Sequence, residues 1–138
     1  MCMHHQHMSD ITKPYDNIPL GDMKKVYVCS PVKGDQNSVL VIKDNIARAA
    51  LYSKFIFENG YLPICPHIYL EAATGLNEAN SPGDREPVIR LGLELLILCD
   101  ELWVFGVKPG GESSGMKNEI KEAEKRGIKV VYRNEYLK

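Results

Sequence analysis

Between Lys24 and Arg133 the spacing of apolar and polar positions changes period several times. KKVYVCS (24–30) is a β-branched and aromatic run bounded by Pro31 and Gly34, which predicts a strand. From about Lys43 to Glu58 the period is helical. Ile42, Ile46, Ala49, Ala50, Ser53 and Phe57 fall on one face, with Lys43, Asp44, Arg48 and Lys54 elsewhere. Asn59-Gly60 ends that helix, because glycine supplies the left-handed conformation past the last turn. YLPIC follows as a second short strand, and Pro63 assigns it to a sheet edge. Pro66 to Asp84 has no firm period and reads as a long loop, of the kind that commonly serves as a lid. Arg85 to Cys99 predicts a second helix entered through Pro87. It is apolar on nearly all sides, so one face is expected on the sheet and another on a second subunit. ELWVFGV is apolar almost throughout, as a central parallel strand should be. The Gly/Ser loop KPGGESSG, a helix from Ser114 to about Arg126 stopped at Gly127, and the strand IKVVYR complete the chain.

Alternation of strand and helix implies an α/β domain with right-handed crossovers, helices on both faces and a mainly parallel sheet of four or five strands. Residues 1–22 have no period and read as a flexible arm before a single domain over 23–138. His4, His5 and His7 stand in that arm, either as loose metal donors or as a polar leader.

Composition narrows the functional classes. With 17 Lys plus Arg against 18 Asp plus Glu, the net charge of −1 argues against a general nucleic-acid or membrane-surface binder. No apolar run reaches the ~18 residues of a membrane span. Cys2, Cys29, Cys65 and Cys99 are widely spaced, without C-x-x-C or a Cys/His pair, so neither a disulfide framework nor structural zinc is expected. The start lacks the apolar core of a signal peptide, and a cytoplasmic setting follows as the expectation.

In an open parallel sheet, ligands lie beyond the carboxyl ends of the strands. Three segments meet there. SPVKGDQN offers Ser30, Gly34, Asp35 and Asn37, small or polar residues that let backbone approach an anion or a sugar. It is neither G-x-G-x-x-G nor a P-loop. Pro66 to Asp84 contributes His67, which binds phosphate, acts as acid or base, or simply packs a loop. GGESSG opens a helix capped by Ser113 or Ser114, and free amides at a helix start suit phosphate. Glu119 follows about five residues later. One helical turn advances ~5.4 Å, roughly the interval from a nucleotide's 5′-phosphate to its anomeric carbon. Met116 and Ala123 lie at i−3 and i+4 from Glu119, so its carboxylate is expected along the core-facing stripe. From there it attacks C1′ of a ribosyl group or stabilises an oxocarbenium-like transition state; the alternative is a solvated helix glutamate. Tyr27 is either a core strand residue or a phenol reaching the ligand. Trp103 and Phe105 are expected in the core, and Asp100 in turn chemistry.

Three stretches together resemble the nucleoside 2-deoxyribosyltransferase superfamily, which includes nucleotide N-glycosidases: VYVCSPVKGDQN, LGLELLILCDELWVFG and SSGMKNEIKEAEKRGIKVV. The likeness covers about residues 24 to 133. It implies a flavodoxin-like (Rossmann-like) three-layer α/β sandwich. By the same resemblance Glu119 is the nucleophilic carboxylate, Ser113, Ser114 and Gly115 with Met116 hold the substrate, and Ser30 and Gly34 belong to the front loop. Members work as dimers or higher homo-oligomers. One position departs: where the family's enzymes carry an Asp that assists departure of the base, this chain has Gly92. Another donor, His67 or Asp84, is then needed, or the base does not depart.

The sequence therefore points to a nucleotide or nucleoside N-glycosidic hydrolase or deoxyribosyltransferase that acts through Glu119, with no metal or organic cofactor required. The rival is a non-catalytic binder or sequesterer of a nucleotide-like or ADP-ribose-like molecule. A receiver-type interaction module is disfavoured, since Cys29-Ser30 and Gly106-Val107 occupy the places where it needs acidic residues.

Overall fold

A computed structural model describes residues 12–32, 38–79 and 81–133. Four strands form one all-parallel sheet: β1 (Lys25–Cys29), β2 (Leu62–Ile64), β3 (Glu101–Val104) and β4 (Lys129–Tyr132), in the spatial order β2-β1-β3-β4. The helices are α1 (Val39–Glu58), α2 (Pro66–Thr74), α3 (Arg85–Leu96) and α4 (Ser114–Lys125). The fold is the expected α/β, flavodoxin-like arrangement, with four strands. Pairing of Tyr27 with Leu102 and of Cys29 with Val104 sets β1 and β3 side by side at the centre. The chain reverses its direction of travel across the sheet between these two strands, and ligand crevices form at such reversals.

Alternation along β1 divides the core in two. Val26 and Val28 face α1, where they pack with Ala49, Tyr52, Ile56, Trp103 and Phe105. Tyr52 and Phe105 stack with ring centroids 4.6 Å apart. Tyr27 and Cys29 face the other way, with Leu96, Leu102, Val104, Met116 and Ala123, and so lie under α3 and α4. Burial on both faces accounts for the apolar runs that follow Lys25 in β1 and Glu101 in β3.

The structure corrects the sequence reading at three places. α1 begins at Val39, four residues earlier than expected, because the Ser38 hydroxyl caps it by accepting from the Val41 N–H. Its buried stripe is Ile42, Ala49, Tyr52 and Ile56, while Ala50 and Phe57 are exposed. The long loop after β2 contains α2, which Pro66 opens at its first position and Gly75 closes at φ +79°. α3 ends at Leu96, three residues short of Cys99.

Pro63 does lie on an edge strand; Asp100, in the bend before β3, does more than the turn chemistry expected of it, since its carboxylate accepts from the Lys25 N–H at 2.8 Å and ties the start of β1 to that of β3. Ahead of β1, residues 14–17 form a turn, and the Tyr15 ring lies 6.2 Å from that of Phe57. Among the described residues, no helix is long and apolar enough to cross a membrane.

Candidate functional site

A cavity of about 410 Å³ opens at the carboxyl end of β1, between α2, α3 and the start of α4. It is lined by nine of the residues singled out from sequence: Tyr27, Ser30, His67, Gly92, Ser113, Ser114, Gly115, Met116 and Glu119. Asp84 does not line it. That carboxylate accepts from the Asn77 N–H at 3.0 Å and ties down the loop before α3, so its role is local. Gly34, Asp35 and Asn37 lie outside the described residues.

The floor comes from β1. Tyr27 is fully buried, and its phenol donates to Glu119 Oε2 at 2.5 Å. Tyr27 is thus a core strand residue, as the first reading has it, that also lines the cavity. Room for the phenol depends on Gly92. A Cβ at that position would stand 3.2 Å from the Tyr27 oxygen, closer than side chains normally approach.

α4 brings the carboxylate and a capped helix end to one wall. Ser113 adopts an extended backbone conformation, and its hydroxyl accepts from the Met116 N–H at 3.4 Å. Met116 and Ala123 are buried against β1 and β3, which fixes the rotation of the helix and turns Glu119 inward, as the stripe predicts. Burial is the dominant influence on Glu119 and raises its carboxyl to about 7, while the Tyr27 phenol and the Cys29 thiol pull it back. Burial, and then the same contact, pushes the Tyr27 phenol well above its ordinary value. Near neutral pH the carboxyl is accordingly shared between its acid and its ionised form.

The opposite rim holds a pair that sequence reasoning missed. Arg85, at the first position of α3, donates from Nη1 to Glu78 Oε2 at 2.9 Å, and the Glu78 side chain is 4% exposed. Both line the cavity, and Arg85 Nη2 lies 4.0 Å from where a Cβ on Gly115 would be. The only signal in the sequence is two opposite charges seven residues apart around a Pro-Gly turn, which no helical or strand period selects. His67 sits nearby on α2. Burial lowers its imidazole below the ordinary value, Glu78 opposes that and Arg85 adds to it. The remaining wall is largely apolar, from Pro66, Val88, Ile89 and Leu93.

Such a cavity can hold a ligand with an anionic end near Arg85 and the start of α4, and an apolar ring against α3, with a carboxyl between them. Among the described residues, no group of three His, Cys, Asp or Glu side chains is placed to hold a metal ion. Comparison with curated proteins finds no match. A family model does match, over residues 24–133, so the chain belongs to the family described as a domain of unknown function, DUF7768.

Proposed function

We propose that the protein cleaves or transfers at the N-glycosidic bond of a nucleotide-like ribosyl compound, with Glu119 acting at C1′. One observation carries this reading. A carboxylate, a tyrosine that orients it and a capped helix start converge on one cavity, with Glu119 six positions beyond the Ser113 cap. The anionic end of the ligand would rest on the α4 amides with Arg85 beside it, where charge-assisted bonds to backbone N–H and guanidinium are strong. The sugar then lies over the first turns of α4. Its anomeric carbon faces Glu119, and the heterocycle lies toward α3.

In the ionised form Glu119 attacks C1′ as the C1′–N bond opens, and an ester to the sugar results. Water or a second heterocycle then displaces the carboxylate. Tyr27 holds the carboxylate in a single orientation and donates to the oxygen that does not attack. The second reading, a binder that never reacts, draws its support from Gly92, which leaves that position of α3 without an acid to protonate a departing base.

Incubation with deoxynucleotides, ribonucleotides and ADP-ribose derivatives, with free base measured by chromatography, tests both. Base release that is lost in Glu119→Gln, with ligand binding retained, is the expected result. Ligand depletion with no base from any compound would establish the binder.

A further inference from the structure

The charged groups around the cavity are unevenly spread, and this unevenness bears on what leaves from C1′; the inference rests on Glu119 acting there. The first observation concerns the neighbours of Glu119. Its carboxyl is met by the phenol of Tyr27 and lies beside the thiol of Cys29, both from β1, and neither group is a cation. The guanidinium in the cavity, that of Arg85, is already engaged by the nearly buried Glu78 at 2.9 Å. A half-buried carboxylate facing a cavity in such company gains most from a ligand that brings its own positive charge.

The second observation concerns the wall where the heterocycle would lie. Val88, Ile89, Gly92 and Leu93 of α3 and Pro66 of α2 carry no proton to give. A neutral heterocycle leaves with the electron pair of the C–N bond, and it departs as an anion unless a proton arrives; general-acid help is typically worth about 10²–10⁴-fold. Among the described residues lining the cavity, the candidate donors are otherwise occupied. The Tyr27 proton is held by Glu119, Glu78 is paired with Arg85, and burial disfavours the charged, proton-giving form of His67.

We propose that the substrates are ribosyl N-glycosides whose heterocycle is already cationic, of the N-ribosylpyridinium or N7-alkylpurine kind. In such a compound the C1′–N bond breaks with its electron pair returning to the ring. The positive charge of the ring is cancelled, and the ring leaves neutral without a proton donor. A Glu119 oxygen forms the new bond to C1′, water cleaves that ester, and one proton passes to solvent. Before reaction the cationic ring supplies the counter-charge that Glu119 lacks.

The test is a matched pair, guanosine 5′-monophosphate and N7-methylguanosine 5′-monophosphate, with nicotinamide mononucleotide as the pyridinium member. Free base is measured at neutral pH, and each rate is divided by the rate in buffer, which removes the intrinsic lability of the methylated compound. The expected result is a rate enhancement for the methylated nucleotide at least about 100-fold above that for its parent, the low end of general-acid help. Release from nicotinamide mononucleotide should accompany it, and both should be lost in Glu119→Gln. Equal enhancement for the two guanosine nucleotides, or a larger one for the parent, would overturn the cationic preference and leave the glycosidic reading standing. No release from these compounds or from the deoxynucleotides would overturn both.

Discussion

Tyr27 and Glu119, 92 residues apart in sequence, meet at 2.5 Å where the central strand passes beneath α4. The contact joins the sheet to the helix that carries the carboxylate, and it is made inside the cavity. Glu119 thereby has one oxygen committed to the phenol, with the Cys29 thiol beside the same carboxyl.

Removing the phenol should therefore move the titration of Glu119. Tyr27→Phe deletes a hydrogen bond that favours the ionised carboxyl, so the carboxyl should rise further above its present value of about 7. Base release at neutral pH should fall, and the midpoint of its pH dependence should shift to more alkaline values. A pH–rate profile of Tyr27→Phe with an unmoved midpoint would sink the argument.

In the unmodified protein, kcat/KM for base release should climb with pH through about 7 and then level off, because the carboxylate is the reacting form. Burial moves the neighbouring phenol, thiol and imidazole away from this interval. Tyr27 and Cys29 are both pushed upward by burial, and His67 is pushed downward. A fall in rate across the same interval would contradict the assignment.

Glu119 also sets a pH dependence of stability. Its folded value lies above the ordinary carboxylate value of 4.5, so the folded state holds a proton that the unfolded state releases between the two. Stability is thus greater below 4.5 and is lost as pH rises toward 7, by on the order of 3 kcal/mol at about 1.4 kcal/mol per unit. Glu119→Gln should raise the melting temperature near pH 8 and give a much smaller gain near pH 5, read by thermal denaturation. A gain of equal size at both would remove burial of the charge as the cause.

Gly92 and the Tyr27 phenol should prove coupled. Gly92→Ala gains up to about 1 kcal/mol of helix propensity but places a methyl 3.2 Å from the phenol oxygen. In the natural background the substitution should destabilise. In Tyr27→Phe, with the oxygen gone, it should be neutral or stabilising. A double-mutant cycle that closes to zero coupling would show that the phenol yields freely.

Arg85→Ala strands the Glu78 carboxylate, whose side chain is 4% exposed. Loss of one partner of a buried pair costs about 3–5 kcal/mol, and the one-third exposure of Arg85 places this pair toward about 1–3 kcal/mol. Arg85→Ala combined with Glu78→Gln should recover part of the loss in a denaturant titration. Affinity for nucleotide phosphates should remain weakened in both variants.

The fold was legible because its strands and helices carry strong periods. VYVC and LWV are apolar on both faces, and the Met116–Ala123 stripe told which way Glu119 turns. α2 was hidden, because its nine residues PHIYLEAAT present only Pro66 and Leu70 to the interior, too few to display a period. Arg85 with Glu78 was hidden for a different reason. An ion pair across a turn is a matter of three-dimensional closure, and linear spacing does not record it. Tyr27 could be named but not resolved between two roles, since residue type alone does not say where a phenol ends.

One rigid rod carries both Ser113 and Glu119, with unbroken helix from Ser114 onward. Six residues of helical rise amount to about 9 Å along the axis, less the backward lean of the glutamate side chain. That interval behaves as a ruler. On the proposed reading, substitutions in the surrounding loops would change what is gripped and how tightly, while the gauge between the Ser113 cap and Glu119 stays constant.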